Sequence, residues 1–265
     1  MRFYTPLVIY SLSLLLLPRT QAPAGTFQAE FDRAHRLLEE ISELQGQPRA
    51  KETVQRLADL VVSTPQQVET LLTNGLLDLL NTPGTHGAAD LYQKLSASLQ
   101  IDPPDQNRPE VFVYPVEYGG NQKYFIAYNI VYCASCSREW IGIVGRKTGP
   151  YEILAVEDSP SPNRSLTVTM LSPTPDGKPR FLVYGTNWGD AHNRLSAALY
   201  SFDAQQLKKT WSLTDLPQGT VKITPTAITF SYLTSLAPPW TEKTEVYSIL
   251  PTEIKLRQSV ERPNP

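Results

Sequence analysis

The chain has 265 residues, and its 24 Lys and Arg residues against 26 Asp and Glu residues give a net charge of −2. This balance, without any run of like charge, argues against binding to nucleic acid or to an anionic membrane surface. The 23 prolines, most of them after residue 100, predict a loop-rich globular protein, because tyrosines and β-branched residues are also plentiful.

The first 22 residues have the three parts of a secretory signal peptide. Arg2 supplies a positive charge, residues 7–17 are mainly apolar, and small residues stand at Thr20 and Ala22. This apolar core is much shorter than the ~20 residues that cross a bilayer, so cleavage after Ala22 is favoured over an uncleaved anchor. We therefore expect a protein exported to the periplasm or the extracellular space, with no stable membrane span after cleavage.

Residues 23–100 are expected to be helical, because their apolar residues recur at steps of three and four. Gly46 and Pro48 end the first predicted helix. Thr64 and Pro65 predict the start of a later one, with Thr64 as the N-cap and Pro65 in the first turn. Four short amphipathic helices of this kind would pack as a small bundle. The apolar positions of the first predicted helix are Phe27, Phe31, Ala34, Leu38, Ile41 and Leu44.

Residues 101–109 predict a proline-rich linker, and beyond it the apolar period changes from 3.6 to 2. About twelve strands are expected within 110–258, and they predict an antiparallel all-β domain. Residues 259–265 are expected to form a disordered tail. The predicted fold class is therefore α+β, with a helical region in front of a β domain.

The predicted strands fall into three successive groups of four, within residues 110–156, 165–213 and 220–258. The step of seven residues from Tyr200 to Leu207 recurs from Tyr247 to Ile254. Four-stranded meanders at a period of about 45 residues resemble the blades of a β-propeller. Three blades are fewer than the roughly four that close a propeller. The alternatives are a sandwich, an open stack or a ring completed by another chain, and an antiparallel β domain of undecided topology is favoured.

The only two cysteines, Cys133 and Cys136, are separated by two residues. In an exported chain this spacing predicts a disulfide that clips a turn. Haem attachment is excluded because Ser137, not histidine, follows the second cysteine. A zinc site would need further ligands from His35, His86 or His192, and a thiol oxidoreductase would need the cysteines at the start of a helix. We expect neither a metal nor a cofactor.

Trp188, Asp190, His192, Asn193 and Arg194 form the densest group of reactive side chains. Binding residues concentrate on loops that a rigid sheet positions, so these five are the candidate ligand-binding residues. The competing interpretation is a structural turn, because glycine, aspartate and asparagine favour turns for conformational reasons alone. This structural interpretation is preferred.

The sequence carries no established catalytic motif, so it favours a non-enzymatic binding or interaction module whose ligand is a protein or a carbohydrate. The alternative is an exported hydrolase acting on glycans or another extracytoplasmic substrate through the Trp188–Arg194 loop. That alternative needs a second carboxylate about 5–9.5 Å away. The carboxylates considered for this role are Glu117, Glu139, Glu152 and Asp158.

Overall fold

The computed structural model describes residues 26–47, 50–84, 87–99, 110–120, 122–133, 136–157, 165–188, 192–203, 206–235 and 237–263. The predicted signal peptide, the predicted linker and the last two residues lie outside the described residues. Within the described part, three helices precede twelve antiparallel strands, and the strands form three four-stranded sheets. The predicted α+β class is confirmed.

Each sheet is a meander in which strands that are consecutive in the chain are also neighbours in the sheet. The helices are α1 (Thr26–Gly46), α2 (Lys51–Asn81) and α3 (Gly87–Leu99). The first sheet contains β1 (Val111–Val116), β2 (Lys123–Cys133), β3 (Cys136–Gly145) and β4 (Glu152–Val156). The second contains β5 (Thr167–Leu171), β6 (Arg180–Trp188), β7 (Asn193–Phe202) and β8 (Leu207–Pro217). The third contains β9 (Thr220–Ile223), β10 (Ala227–Leu233), β11 (Thr241–Ile249) and β12 (Ile254–Pro263).

The prediction of a helix start at Thr64 is wrong, because α2 continues through Pro65. A proline inside a helix costs about 3 kcal/mol, since it lacks an N–H and its ring crowds the preceding turn. Packing offsets this cost: Thr64, Pro65 and Val68 are all buried. The Thr64 hydroxyl, expected to cap a helix, is instead buried without a hydrogen-bond partner among the described residues.

The helices and the first sheet share one hydrophobic core. Phe31 of α1 and Leu76 of α2 are fully buried in the same cluster as Tyr124, Ile126 and Tyr128 of β2. The stripe predicted along α1 therefore exists, and it faces a sheet as well as another helix. The helical region is thus a layer on the first sheet rather than a free-standing bundle.

The opposite face of the first sheet packs on the second sheet, and the second sheet packs on the third. The first of these interfaces, which we call the first seam, contains Phe125 and Phe181, whose rings stack at 3.9 Å. The second seam contains Leu182, Phe230 and Tyr247. Because β2 and β6 are covered on both faces, they are continuously apolar in their middles rather than alternating.

Four layers therefore follow one another in chain order: helices, first sheet, second sheet and third sheet. The three successive four-stranded meanders fit a propeller-like arrangement, which is one of the topologies that the sequence left open. The helices cover the remaining face of the first sheet. The outer face of the third sheet carries small polar residues, among them Ser231 and Thr244, whose hydroxyls lie 3.1 Å apart.

The prediction of a disordered tail from residue 259 is wrong up to residue 263. β12 pairs with β11 as far as the partners Thr241 and Pro263. Most side chains of β12 are exposed, so the usual alternation of apolar and polar residues that signals a strand is weak there. Backbone pairing at the edge of the sheet supplies the order that the side-chain pattern did not reveal.

Candidate functional site

The registers place the loops of the first and second sheets at shared ends. β1 and β5 run side by side in the same direction, because the Tyr114 hydroxyl donates to the Val168 carbonyl at 2.9 Å and the Glu110 carboxylate accepts from the Leu166 N–H. The start of β1 pairs with the end of β2, and the start of β5 pairs with the end of β6. The β2–β3 and β6–β7 hairpin tips therefore lie at the same end of the stack.

The third sheet joins this end through a two-residue connection. β8 and β9 are separated by Gln218 and Gly219 alone, and Thr220 at the start of β9 pairs with Ser231 near the end of β10. The β10–β11 loop is consequently a neighbour of this connection. We call the group of three hairpin tips and the β8–β9 connection the hairpin end.

The β8–β9 connection is a tight corner. Asp215 and Gln218 have φ values of 64° and 47°, in the left-handed region that L-residues rarely adopt. A Cβ atom added to Gly219 would lie 2.6 Å from the Leu195 Cβ and 2.9 Å from the Leu216 carbonyl oxygen. Glycine is therefore required there by the close approach of β7, and the corner holds a fixed position against the β6–β7 tip.

Three of the predicted site residues contact this corner, Asn193 through its backbone. Arg194 forms an ion pair with Asp215, with 2.6 Å between Nη1 and Oδ2. The His192 Nδ1 lies 3.4 Å from the Gln218 Nε2, and the Gln218 N–H donates to the Asn193 carbonyl at 2.7 Å. The charge of Arg194 is thus balanced locally, and His192 makes its contact through a neutral amide.

The Asn193 side chain is not part of this contact, and the other two predicted site residues, Trp188 and Asp190, lie partly or wholly outside the described residues. Asn193 is exposed, and no described residue bonds to its side-chain amide. Trp188 ends β6, but its side chain lies outside the described residues, as does Asp190 entirely. The predicted choice between a binding loop and a structural turn therefore stays a prediction for Trp188 and Asp190. His192 and Arg194 take part in holding the corner.

Sequence reasoning missed an exposed tryptophan in the neighbouring β10–β11 loop. Trp240 precedes β11 and keeps 42% of its surface exposed. The base of this loop is closed by the Thr234 N–H, which donates to the Thr241 carbonyl at 2.9 Å. Near its tip, the Ser235 hydroxyl accepts from the Ala237 N–H at 3.1 Å and donates to the Ala237 carbonyl at 3.0 Å. The sequence signal was Pro238-Pro239-Trp240, an aromatic residue held by two prolines between strands.

The cysteine pair also belongs to the hairpin end. The backbones of Cys133 and Cys136 are direct partners across β2 and β3. Both cysteines lie in strands, so the helix start that a thiol oxidoreductase requires is not present at this position. Their side chains lie outside the described residues, and the disulfide stays a prediction.

Two largely buried carboxylates lie between the first and second sheets, but they are committed to the packing. Glu139 is 2% exposed, and Glu157 forms an ion pair with Lys209, with 3.2 Å between Oε1 and Nζ. The pKa of Tyr200 is raised by burial and further by the negative charges of Glu157 and Glu139. Lys209 also lies over the Tyr200 ring at 5.8 Å. Such a group joins two sheets and does not present an open acid/base pair.

A second buried group lies on the third sheet. The Glu245 carboxylate accepts from the Tyr247 hydroxyl at 2.9 Å and pairs with the Lys243 ammonium at 2.9 Å. Burial alone would raise the pKa of Glu245, but the bonds from Lys243 and Tyr247 outweigh it, so the pKa is lowered. The carboxylate is therefore held ionised and fully engaged.

The carboxylates that were considered for the hydrolase hypothesis, where the structure describes them, lie in three different environments. Glu139 is buried, Glu117 is exposed, and Glu152 lies 3.6 Å from the Lys147 ammonium. Asp158 lies outside the described residues.

Among the residues that the structure describes, no three His, Cys, Asp or Glu side chains are close enough to hold a metal ion. No described helix combines the length and the apolar composition that crossing a bilayer requires.

Comparisons with protein-family models, with curated proteins and with solved structures found no significant match for this chain.

Proposed function

We propose that this chain is an exported, non-enzymatic binding module that takes its ligand at the hairpin end. The observation that carries the proposal is that the strand ends flanking three hairpin connections lie, with the β8–β9 corner, at one end of a packed stack. Loops that a packed sheet holds in place are where ligand-binding residues concentrate.

The chemistry of the described residues supports binding rather than catalysis. Arg194 and Asp215 neutralise each other, and the described carboxylates of the seams are buried or paired. Exposed groups at the hairpin end include the Asn193 amide and the Trp240 ring. These groups can stack on or hydrogen-bond to a ligand, but they supply neither a nucleophile nor a general base.

Site-specific photo-crosslinking tests this proposal and works with a ligand of any chemical class. A photoreactive residue is placed at Asn193 or Ala237, which are exposed at the hairpin end, or at Pro173 or Thr252, which are exposed at the opposite end. The protein is then irradiated in the extracytoplasmic fraction of its native host. Discrete adducts are expected from the first pair of positions and not from the second. Adducts confined to Pro173 or Thr252 would contradict the proposal.

Export is tested separately. We expect the mature protein from its native host to begin at or near Pro23, because the small residues Thr20 and Ala22 fit the signal peptidase pockets. N-terminal sequencing or intact-mass measurement decides the matter. Recovery of a soluble cytosolic protein that retains Met1 would contradict export.

A further inference from the structure

Resting on the proposed binding role of the hairpin end, we infer that its ligand is a neutral oligosaccharide that stacks on Trp240 and hydrogen-bonds to the Asn193 and Gln218 side chains. Three observations at this end point to such a ligand: the local charge, the uncommitted polar atoms and the exposed aromatic ring.

The local charge argues against an ionic ligand. Arg194 and Asp215 are the charged residues described in the corner, and they form a 2.6 Å ion pair. Beside Trp240, the oppositely charged Glu242 and Arg262 are partners across β11 and β12. Charges of both signs thus leave little net field for an anion or a cation. The other polar groups next to Arg194 and Asp215, on His192, Asn193 and Gln218, carry amide or imidazole atoms. Amide side chains carry no charge.

The uncommitted atoms match hydroxyl groups. Gln218 uses its Nε2 toward His192, and its Oε1 has no bond to a described residue. The Asn193 amide offers both a donor and an acceptor and is equally uncommitted within the described part of the chain. Side-chain amides can donate and accept at once, which suits ligands whose hydroxyls do the same.

The aromatic ring supplies the complementary apolar contact. Trp240 stands between Pro239 and the first residue of β11, in a loop whose base is closed by the bond from Thr234 to Thr241. A tryptophan side chain has only two χ angles, so the Trp240 ring, which is 42% exposed, loses little conformational entropy on binding. A ligand that pairs an apolar face with a rim of neutral hydroxyls is a sugar ring.

The spacing favours several sugar units over one. Gln218 adjoins β9, whereas Trp240 adjoins β11, and β10 lies between them. Two strand spacings amount to roughly 10 Å, which is longer than a single sugar ring. A ligand that contacts both residues is therefore an oligosaccharide or the chain of a polysaccharide.

Affinity electrophoresis of the purified chain tests the inference. The gels contain a neutral β-glucan, a neutral α-glucan, a mannan or a sulfated polysaccharide. We expect retardation by at least one neutral polymer and no weakening as the ionic strength rises, because no ion pair is formed. Trp240→Ala should weaken that binding by at least about tenfold, equivalent to ~1.4 kcal/mol.

Matched variants separate stacking from a general loss of structure. Trp240→Phe should retain most of the binding, Asn193→Ala should weaken it, and Tyr92→Ala should leave it unchanged. Tyr92 is the control because it is an aromatic residue 48% exposed on α3 rather than at the hairpin end. Each variant is compared with the wild type by circular dichroism and thermal midpoint.

The outcomes distinguish this inference from the proposed function. No retardation by any neutral polymer, retardation by the sulfated polymer alone, or equal behaviour of Trp240→Ala and Tyr92→Ala overturns the carbohydrate inference. If hairpin-end crosslinks meanwhile capture a protein, the binding module stands and its ligand is a protein. If the crosslinks form only at the opposite end, the proposed function itself fails.

Discussion

The two seams between the sheets are held together in different ways. The first seam combines the Phe125–Phe181 stack with polar bonds from one sheet to the other, among them the Tyr114–Val168 bond and the Glu157–Lys209 ion pair. In the second seam the Trp211, Phe230 and Tyr247 rings pack together, with centroids 5.4–6.0 Å apart. Its ionic group, Lys243 with Glu245, lies within one strand of the third sheet.

The chain connections explain this difference. Residues 157–166 separate β4 from β5, so the covalent chain constrains the first two sheets weakly, and polar bonds across the seam specify how they meet. Two residues separate β8 from β9, and the corner itself orients the third sheet. Apolar packing, which is not directional, then makes up most of the second seam, together with a bond from Arg180 to the Leu250 carbonyl that crosses it.

The largest expected effect comes from breaking the first seam at its centre. Phe181 is fully buried, and replacing it by alanine should lower the free energy of unfolding by about 3–5 kcal/mol, through lost burial and a residual cavity. Urea denaturation measures the change. Met170→Ala, 51% exposed on the adjacent strand, is the control and should cost far less. Equal costs for the two variants would refute the assignment of Phe181 to the seam.

Arg180 tests the polar bond that crosses the second seam. This residue is 2% exposed, and its guanidinium donates two hydrogen bonds, both at 2.7 Å. The first is to the carbonyl of Ser172, directly after β5 of the second sheet. The second is to the Leu250 carbonyl in the turn after β11, and it crosses from the second sheet to the third. Arg180→Met should cost about 1.5–3 kcal/mol, because both bonds involve a charged donor. Lys208→Met, an exposed change on the same sheet, should stay within about 0.5 kcal/mol. Equal losses of stability in Arg180→Met and Lys208→Met would show that the bond from Arg180 to Leu250 does not stabilise the fold.

Lys243→Met tests the ionic group of the third sheet. Because the folded-state pKa of Glu245 is lowered, its ionised form stabilises the fold at pH values above the ordinary carboxyl pKa. This contribution is lost as the pH falls through the folded-state pKa. Removing Lys243 should therefore cost about 1 kcal/mol at pH 7 and less near pH 3. Denaturant titrations at both pH values give the difference. A cost that grows toward acid pH would contradict this assignment.

Glu110→Gln should have the smallest effect and the opposite pH dependence. Partial burial raises the pKa of Glu110, against the lowering effect of the Leu166 N–H, so the folded state favours the protonated carboxyl. In the wild type, Glu110 contributes to the free energy of unfolding below the ordinary pKa of 4.5, and this contribution declines as the pH rises through the folded-state pKa. The Glu110→Gln variant should not show this decline, because glutamine does not titrate. The effect is small because Glu110 remains substantially exposed. Denaturant titrations of both proteins between pH 3 and pH 7 check this, and an unchanged pH profile in the variant would contradict the raised pKa.

The sequence predicted the larger features of the fold because they repeat. Apolar residues at helical spacing identified the face of α1 that is buried, and alternating strands in groups of four identified the three sheets. It failed at Pro65, where local preference favours a helix start but burial of Thr64 and Pro65 keeps α2 continuous. It also failed at β12, where order comes from pairing with β11 rather than from burial.

The candidate site was predicted in part, for a related reason. His192, Asn193 and Arg194 were selected by residue type, but Asp215 and Gln218 follow 21 or more residues later and meet them only through the β8–β9 corner. Gly219 looks like any turn glycine until the approach of Leu195 is known. Trp240 belongs to another sheet, and only the strand registers place it at the same end.

The binding site at the hairpin end is tested by hydrogen–deuterium exchange of the chain with and without the polysaccharide selected by affinity electrophoresis. We expect slower exchange on ligand addition in residues 192–196, 215–220, 231–235 and 237–241, which lie at the hairpin end. The turns at 172–179, 224–226 and 250–253, at the opposite end, should exchange unchanged. Protection confined to those turns, or spread evenly over both ends, would contradict a binding site at the hairpin end.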